Sequence, residues 1–182
     1  MPPIIESGLS LDLPAGLSFR FADTAAYGAV KGQSVKEMDF AWVDSGKLFL
    51  LEVRDYSQVT TTLALTDFVP GKGQAEPFRF KALVDKITDS VLMILSAWSG
   101  TAWGQRLSAE LPAAAHTRMP LKLVVAVDLP PALTVHLQGL RDSLNDRMRG
   151  RVALADVGSV VLIDYARLIA DPIFKGFVSK AP

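Results

Sequence analysis

The sequence predicts an α/β fold, a mixed central sheet flanked by helices, and three observations predict it. The stretch from Val35 to Arg54 alternates with period two, the signature of half-buried strands. Two later stretches, Phe80 to Trp98 and Ala132 to Met148, place apolar residues at spacings of three and four, as amphipathic helices do. Between and after them lie "LKLVVAVDL" and "GSVVLID", uninterrupted apolar runs of the kind that strands carry when both faces are covered. Strands that alternate with helices imply a sheet with helices packed on it.

Taken in order, "VKEMDFAWV" from Val35 to Val43 puts Met38, Phe40 and Trp42 on one side. Glu37, Asp39, Ala41 and Val43 fall on the other. "DSG" at Asp44 to Gly46 is a turn signal and Lys47 to Arg54 the next strand, so the pair reads as a β-hairpin. "TTTLALTDFV", Thr60 to Val69, is rich in β-branched residues and is expected as a third strand. Pro70 to Pro77 is a loop, in which Gly71 to Gly73, "GKG", lacks the spacing of a phosphate loop and reads as a turn. In the helix from Phe80, the stripe is Leu83, Ile87, Val91, Ile94, Leu95 and Trp98, with Lys81, Asp85, Lys86 and Asp89 expected to face out. The glycines of "SGTAWG" end it. A buried strand follows from Leu121 to Leu129. The next helix carries the stripe Leu133, Leu137, Leu140, Leu144 and Met148. Gly158 to Asp164 is the last strand, and the tail from Tyr165 is helical up to Pro172. No repeat or linker divides the chain, so residues 1–182 are read as one domain.

Composition narrows the function classes. The chain has 182 residues, and 49% hydrophobic with 21% charged residues excludes a disordered chain. Its 19 basic and 19 acidic residues cancel, so nucleic-acid binding requires a local patch rather than a global excess. The absence of cysteine excludes disulfides, zinc-thiolate sites and thiol nucleophiles. "MPPIIESGLS" has no basic segment followed by an apolar one, and the apolar run around "VLMILSAW" is too short for a bilayer. The expectation is a soluble, cytoplasmic protein with no membrane partner.

The chemistry concentrates in "FLLEVRDYS", Phe49 to Ser57, an apolar strand that places Glu52 and Arg54 on one face. If the hairpin brings its two strands' faces into match, Asp39 lies within side-chain reach of Glu52. Two such carboxylates repel by a few kcal/mol at an effective dielectric of about 20, and a cation between them removes the penalty. Hard oxygen ligands in small number suit Mg²⁺ or Mn²⁺.

An acid on one strand followed by Glu-x-basic on the next, "MDF" at Met38 to Phe40 and "EVR" at Glu52 to Arg54, resembles the PD-(D/E)XK nuclease superfamily and its restriction-endonuclease-like fold. The resemblance covers about residues 19–129, with residues 130–182 as a C-terminal elaboration. It implies a core of helix, three strands, helix and strand. It also implies metal-dependent hydrolysis of phosphodiester bonds in DNA or RNA, with Asp39 and Glu52 as metal-binding acids and the Val53 carbonyl as a further ligand. Arg54 stands where the family has its catalytic lysine, and Met38 where it often has proline. Arginine keeps the charge but brings a larger planar fork in place of a compact ammonium. The alternative is a non-catalytic relative that uses the fold as a binding or assembly module for a nucleic acid or protein, with Asp39, Glu52 and Arg54 reduced to a cross-strand ion pair.

Other residues carry less. Glu37 is expected as a solvated strand residue and Glu6 as a surface residue, although the resemblance offers Glu6 an upstream acidic position on an N-terminal helix. Asp128 and Asp164 end buried strands and are read as helix caps. His116 and His136 are read as surface residues, and the four arginines of Arg141 to Arg151 as a solvated helix end.

Overall fold

The hairpin is where local sequence dictates structure most directly. In the computed structural model, which describes residues 3–57, 65–69, 71 and 73–182, β4 (Phe40–Asp44) and β5 (Lys47–Asp55) pair antiparallel through Phe40↔Leu51 to Asp44↔Lys47. The two residues between them, Ser45 and Gly46, both have positive φ, the conformation whose twist matches a tight hairpin. The third antiparallel strand precedes them in the chain. It is β3 (Ser18–Phe19), paired with Trp42 and Ala41. The strand expected at Thr60 to Val69 is not formed where it can be seen, since Leu65–Asp67 makes a 3₁₀ turn. Residues 58–64 and Lys72 of the "GKG" turn lie outside the described residues.

The sheet then continues in parallel. β6 (Leu121–Asp128) lies beside β5, and β7 (Val160–Asp164) beside β6, which gives the order β3-β4-β5-β6-β7 with β4 running against its neighbours. The crossover into β6 uses α2 (Phe78–Ser99) and α3 (Ala102–Glu110); the crossover into β7 uses α4 (Leu137–Ala153). The α4 helix begins five residues later than its periodicity suggested, because Pro131–His136 winds as a 3₁₀ segment after Pro130. The helix α3 was hidden by the glycines of "SGTAWG". Gly100 does close α2 in a left-handed cap, but Thr101 at once caps α3 by accepting from the Gly104 amide. Gly104 itself is required by packing, since a Cβ there would lie 1.9 Å from the Ser96 carbonyl oxygen.

Alternation along the strands sorts the core into two layers. Leu48 and Leu50 of β5, with Leu121, Leu123, Val125 and Val127 of β6, face the helices α2, α3, α4 and the short α1 (Ala25–Gly28). Phe49, Leu51 and Val53 face the other way, with Phe40 and Trp42. That side is covered by α5 (Tyr165–Ala170) and a small antiparallel sheet of β1 (Ile4–Glu6), β2 (Leu9–Leu11) and β8 (Val178–Lys180). Both layers are almost free of solvent, and each fully buried large aliphatic side chain contributes about 1.5–3 kcal/mol. The outer edge of β7 is closed in part by a side chain. Asn145 of α4 donates to the Val160 carbonyl at 2.9 Å and accepts the Val160 amide at 2.8 Å. No helix among the described residues is long and apolar enough to cross a membrane.

Candidate functional site

Glu52 follows Leu48 and Leu50 on the helix-facing side of β5, and its side chain is wholly buried under α2. A lone carboxylate there would cost several kcal/mol, so the neighbours that compensate it define the site. Asp39 is one. It sits just before β4, at the point where the regular strand breaks. Met38 therefore packs with Ala41 and Val43 on the helix side, not with Phe40 and Trp42 as strict period two predicts. The break has visible causes. The Met38 amide donates to the hydroxyl of buried Ser90 on α2 at 2.8 Å, and Arg20 donates to the Asp39 carbonyl at 3.1 Å. With β4 ended, the Val53 amide has no backbone partner opposite, and the Asp39 carboxylate accepts it at 2.9 Å. One side chain thus finishes the ladder and reaches the site.

Lys86 is the residue that sequence reasoning placed wrongly. Expected to face out, it reaches down from α2 with a side chain only 14% exposed, and its Nζ lies 3.1 Å from Asp39 Oδ1 and 2.9 and 3.0 Å from the two oxygens of Glu52. The signal was present: Leu83, Lys86, Ser90, Ile94 and Ala97 follow one another at spacings of three and four. Lys86 therefore lies on the edge of the buried arc, one turn before the serine that holds the bend. Arg54, two residues beyond Glu52 on the same face, completes the group with its Nε 2.6 Å from Glu52 Oε1. The structure therefore brings Asp39, Glu52 and Arg54 together as the spacing required and adds Lys86, giving two acids and two bases.

The electrostatics are dominated by burial. Desolvation, and then the charge of Asp39, push the Glu52 carboxyl up to about 8 against the pull of Lys86 and Arg54. Arg54 is held above its ordinary value; its own burial opposes this, and Glu52 and Asp39 outweigh it. Glu52 Oε1 is buried and close to two cations, yet neither donor is aligned for a hydrogen bond to it. An acceptor so placed is a candidate metal ligand.

The donor set fits Mg²⁺ or Mn²⁺ in composition. Asp39 and Glu52 offer hard oxygens on either side of one gap. The Val53 carbonyl shares its direction with the Val53 amide, because alternate residues of β5 turn to β6, as Leu48 and Tyr56 do through Pro120 and Asp128. It therefore points toward the line of β4, on the Asp39 side. Among the described residues no group of three or more His, Cys, Asp or Glu side chains is placed to hold a metal, so waters and a substrate phosphate would complete the shell. In this structure the gap is bridged by the Lys86 ammonium, with which an ion would compete for the same oxygens.

The remaining candidates stay apart from this centre. Glu37 is not simply solvated; it accepts from the buried Tyr27 hydroxyl, whose pKa is raised by burial and by that acid. Glu6 pairs with Arg20 at 3.3 Å and lies in β1, so the N-terminal helix that the resemblance would need for it is not there. Asp164 caps α5 through the Arg167 amide at 2.7 Å, as expected. Asp128 caps no helix among the described residues; burial, and then Asp55, raise its carboxyl. His116 and His136 are exposed. Arg141, Arg147 and Arg149 pair with Asp142, Glu76 and Asp146 on the surface of α4. A cleft of about 770 Å³ runs along β7 between Arg141, Asn145 and Arg167, and none of the four site residues lines it.

Comparison with protein-family models, with curated proteins and with solved structures returns no match. The functional reading therefore rests on the site.

Proposed function

We propose that the protein is a metal-dependent nuclease, hydrolysing phosphodiester bonds in DNA or RNA, with Lys86 in place of Arg54 as the catalytic ammonium. One observation carries this. A lysine from a separate element converges on both acids of the Asp39–Glu52 pair, within 3.1 Å of each. The acid-x-base motif on β5 has arginine at its basic position, and the helix behind it provides a lysine at the same carboxylates. Three antiparallel strands, the helix α2 and the parallel strand β6 follow in the order that the resemblance implies, although α3 is inserted before β6 and a β-hairpin stands where the leading helix would be.

The residues divide the work by chemistry. Asp39, Glu52 and the Val53 carbonyl would hold Mg²⁺ or Mn²⁺, which when bound supplies water activation and charge neutralisation at the phosphate. Lys86, a compact ammonium on a flexible stem, meets the attacking water and the charge that develops on phosphate oxygen. Arg54 stays against Glu52 Oε1, holds that carboxylate in place and favours its ionised form. The buried floor made by Leu50 and α2 keeps bulk water from the acids.

The rival is a non-catalytic binding or assembly module, and a specific observation favours it: the tetrad is formally neutral and its ammonium already fills the gap. Cleavage assays on plasmid DNA and single-stranded RNA with Mg²⁺ and Mn²⁺ decide between them. The nuclease reading expects metal-dependent cleavage that falls at least 100-fold in Lys86→Ala and in Glu52→Gln. Wild type that stays inert, with a thermal transition unmoved by millimolar Mn²⁺, establishes the rival.

A further inference from the structure

We propose that Arg79, held over Tyr56 and Phe68, forms a second phosphate subsite that takes a phosphate neighbouring the scissile one on a polynucleotide strand. The proposal rests on the nuclease reading for the strand's identity as substrate, but its own geometry stands apart from the acids. Arg79 lies in the first turn of α2, seven residues before Lys86. Seven residues are nearly two turns, so the two side chains leave one face of the helix about 10 Å apart along its axis. On the facing strand, Glu52, Arg54 and Tyr56 alternate on to the same side, and the Tyr56 amide extends the ladder past β5 by bonding to Asp128 at 2.8 Å. The cations Lys86, Arg54 and Arg79 therefore line up from the acid pair toward the carboxyl end of β5.

Arg79 is set apart by its place over two rings, since Lys31, Lys47, Arg106, Arg151 and Arg167 likewise make no ion pair with a described carboxylate. Lys86, Arg54, Arg20, Lys36, Arg147 and Arg149 each touch a carboxylate. Arg79 is half-buried and makes no ion pair with a described carboxylate. Its guanidinium is instead fixed over two rings, 5.3 Å from the Tyr56 centroid and 6.0 Å from that of Phe68. The rings themselves pack edge to face at 4.9 Å and are almost fully buried. Stacking on a ring orients the planar fork and uses none of its N–H donors on a described residue, and such a fork matches two oxygens of one phosphate. Of the acids near this end of the sheet, Asp55 and Asp128 alternate on to the opposite face, and Asp67 stands in the turn just before Phe68.

The test is binding of a fluorescein-labelled 12-nucleotide DNA, single- and double-stranded, and of the RNA of the same sequence, by anisotropy in Ca²⁺. The expected result is that Arg79→Ala weakens the preferred strand at least 10-fold and lowers the salt slope by about one, while Arg79→Lys recovers part of the loss. Arg149→Ala, on the outer face of α4, serves as the control and changes neither. A second measurement needs no variant: on wild type, a 5′-phosphorylated dinucleotide should displace the labelled strand at least 10-fold better than a mononucleotide. Equal affinity and salt slope for wild type and folded Arg79→Ala overturn the subsite, as do equal competition by the two nucleotides and failure of wild type to bind any strand. Binding that depends on Arg79 without cleavage in Mg²⁺ or Mn²⁺ upholds the subsite and removes the nuclease reading.

Discussion

Helices α2 and α4 pack on the same face of the sheet and carry the same kinds of charge, yet they use it oppositely. On α4, Arg149 and Asp146 pair at 3.0 Å with side chains 79% and 77% exposed, and such a pair contributes at most a few tenths of a kcal/mol. On α2, Lys86 turns inward and meets a wholly buried acid. The distances are alike and the solvent is not. Burial makes the α2 group a commitment: removing one partner leaves a charge with no water to receive it, although the intact group is worth little more than apolar side chains of the same volume. Ion pairing alone therefore does not explain why the acids and the lysine occur there together, and that is the physical ground for the role proposed for Lys86.

The contrast can be broken most directly by truncation. Lys86→Ala should destabilise the protein by about 3–5 kcal/mol, read as a lowered denaturation midpoint, because Asp39 and Glu52 then face each other with only Arg54 between their charges and the core. The double variant Glu52→Leu with Lys86→Met should return to within about 1 kcal/mol of wild type, since it removes one charge of each sign. A double variant as unstable as the single one would show that the group holds the fold together and leave little room for catalysis.

A middle-sized effect concerns pH. Glu52 titrates near 8 in the folded chain and near 4.5 when unfolded, so between those values the folded state holds the proton more firmly. Its contribution to stability is complete below the lower value and is lost as pH rises through about 8. The melting temperature of wild type relative to Glu52→Gln should therefore fall from pH 5 to pH 9. On the proposed metal site, a shift produced by Mn²⁺ should run the other way and grow over the same range, because the ion needs the ionised carboxylate. A Mn²⁺ shift that is level across this range would place the ion elsewhere. The smallest effect belongs to the outer helix: Arg149→Ala should change stability by less than about 0.5 kcal/mol, and a larger loss would show that exposure is not what separates the two helices.

The same contrast explains how far the sequence could be read. Period two placed Glu52 and Arg54 on one face and the turn residues set the hairpin's register, while Asp39, one residue outside that ladder, reaches the same Lys86 ammonium as Glu52. The apolar runs gave β6 and β7. Legibility failed where a residue answers to a partner distant in the chain. Met38 left its expected side because Ser90, fifty-two positions away, takes its amide. Lys86 was assigned to solvent because lysine on a helix usually goes there, and only the bend at Asp39 reveals why this one does not. The helix α3 was missed because a glycine cap and a new helix start share one short segment. Arg79 escaped notice for the same reason as Lys86, since its rings come from the end of β5 and from a turn.

The Val53 amide makes the centre observable without any assay of activity. Its proton is held by the Asp39 carboxylate instead of by a neighbouring strand. Its nitrogen–proton cross-peak therefore belongs at once to the sheet and to the acid pair. Any event that draws electron density from Asp39 should move this one resonance more than those of Leu48 or Tyr56, whose amides bond to ordinary backbone carbonyls. Titration of a labelled sample thus turns the termination of a strand into a spectroscopic gauge of what occupies the space beside it.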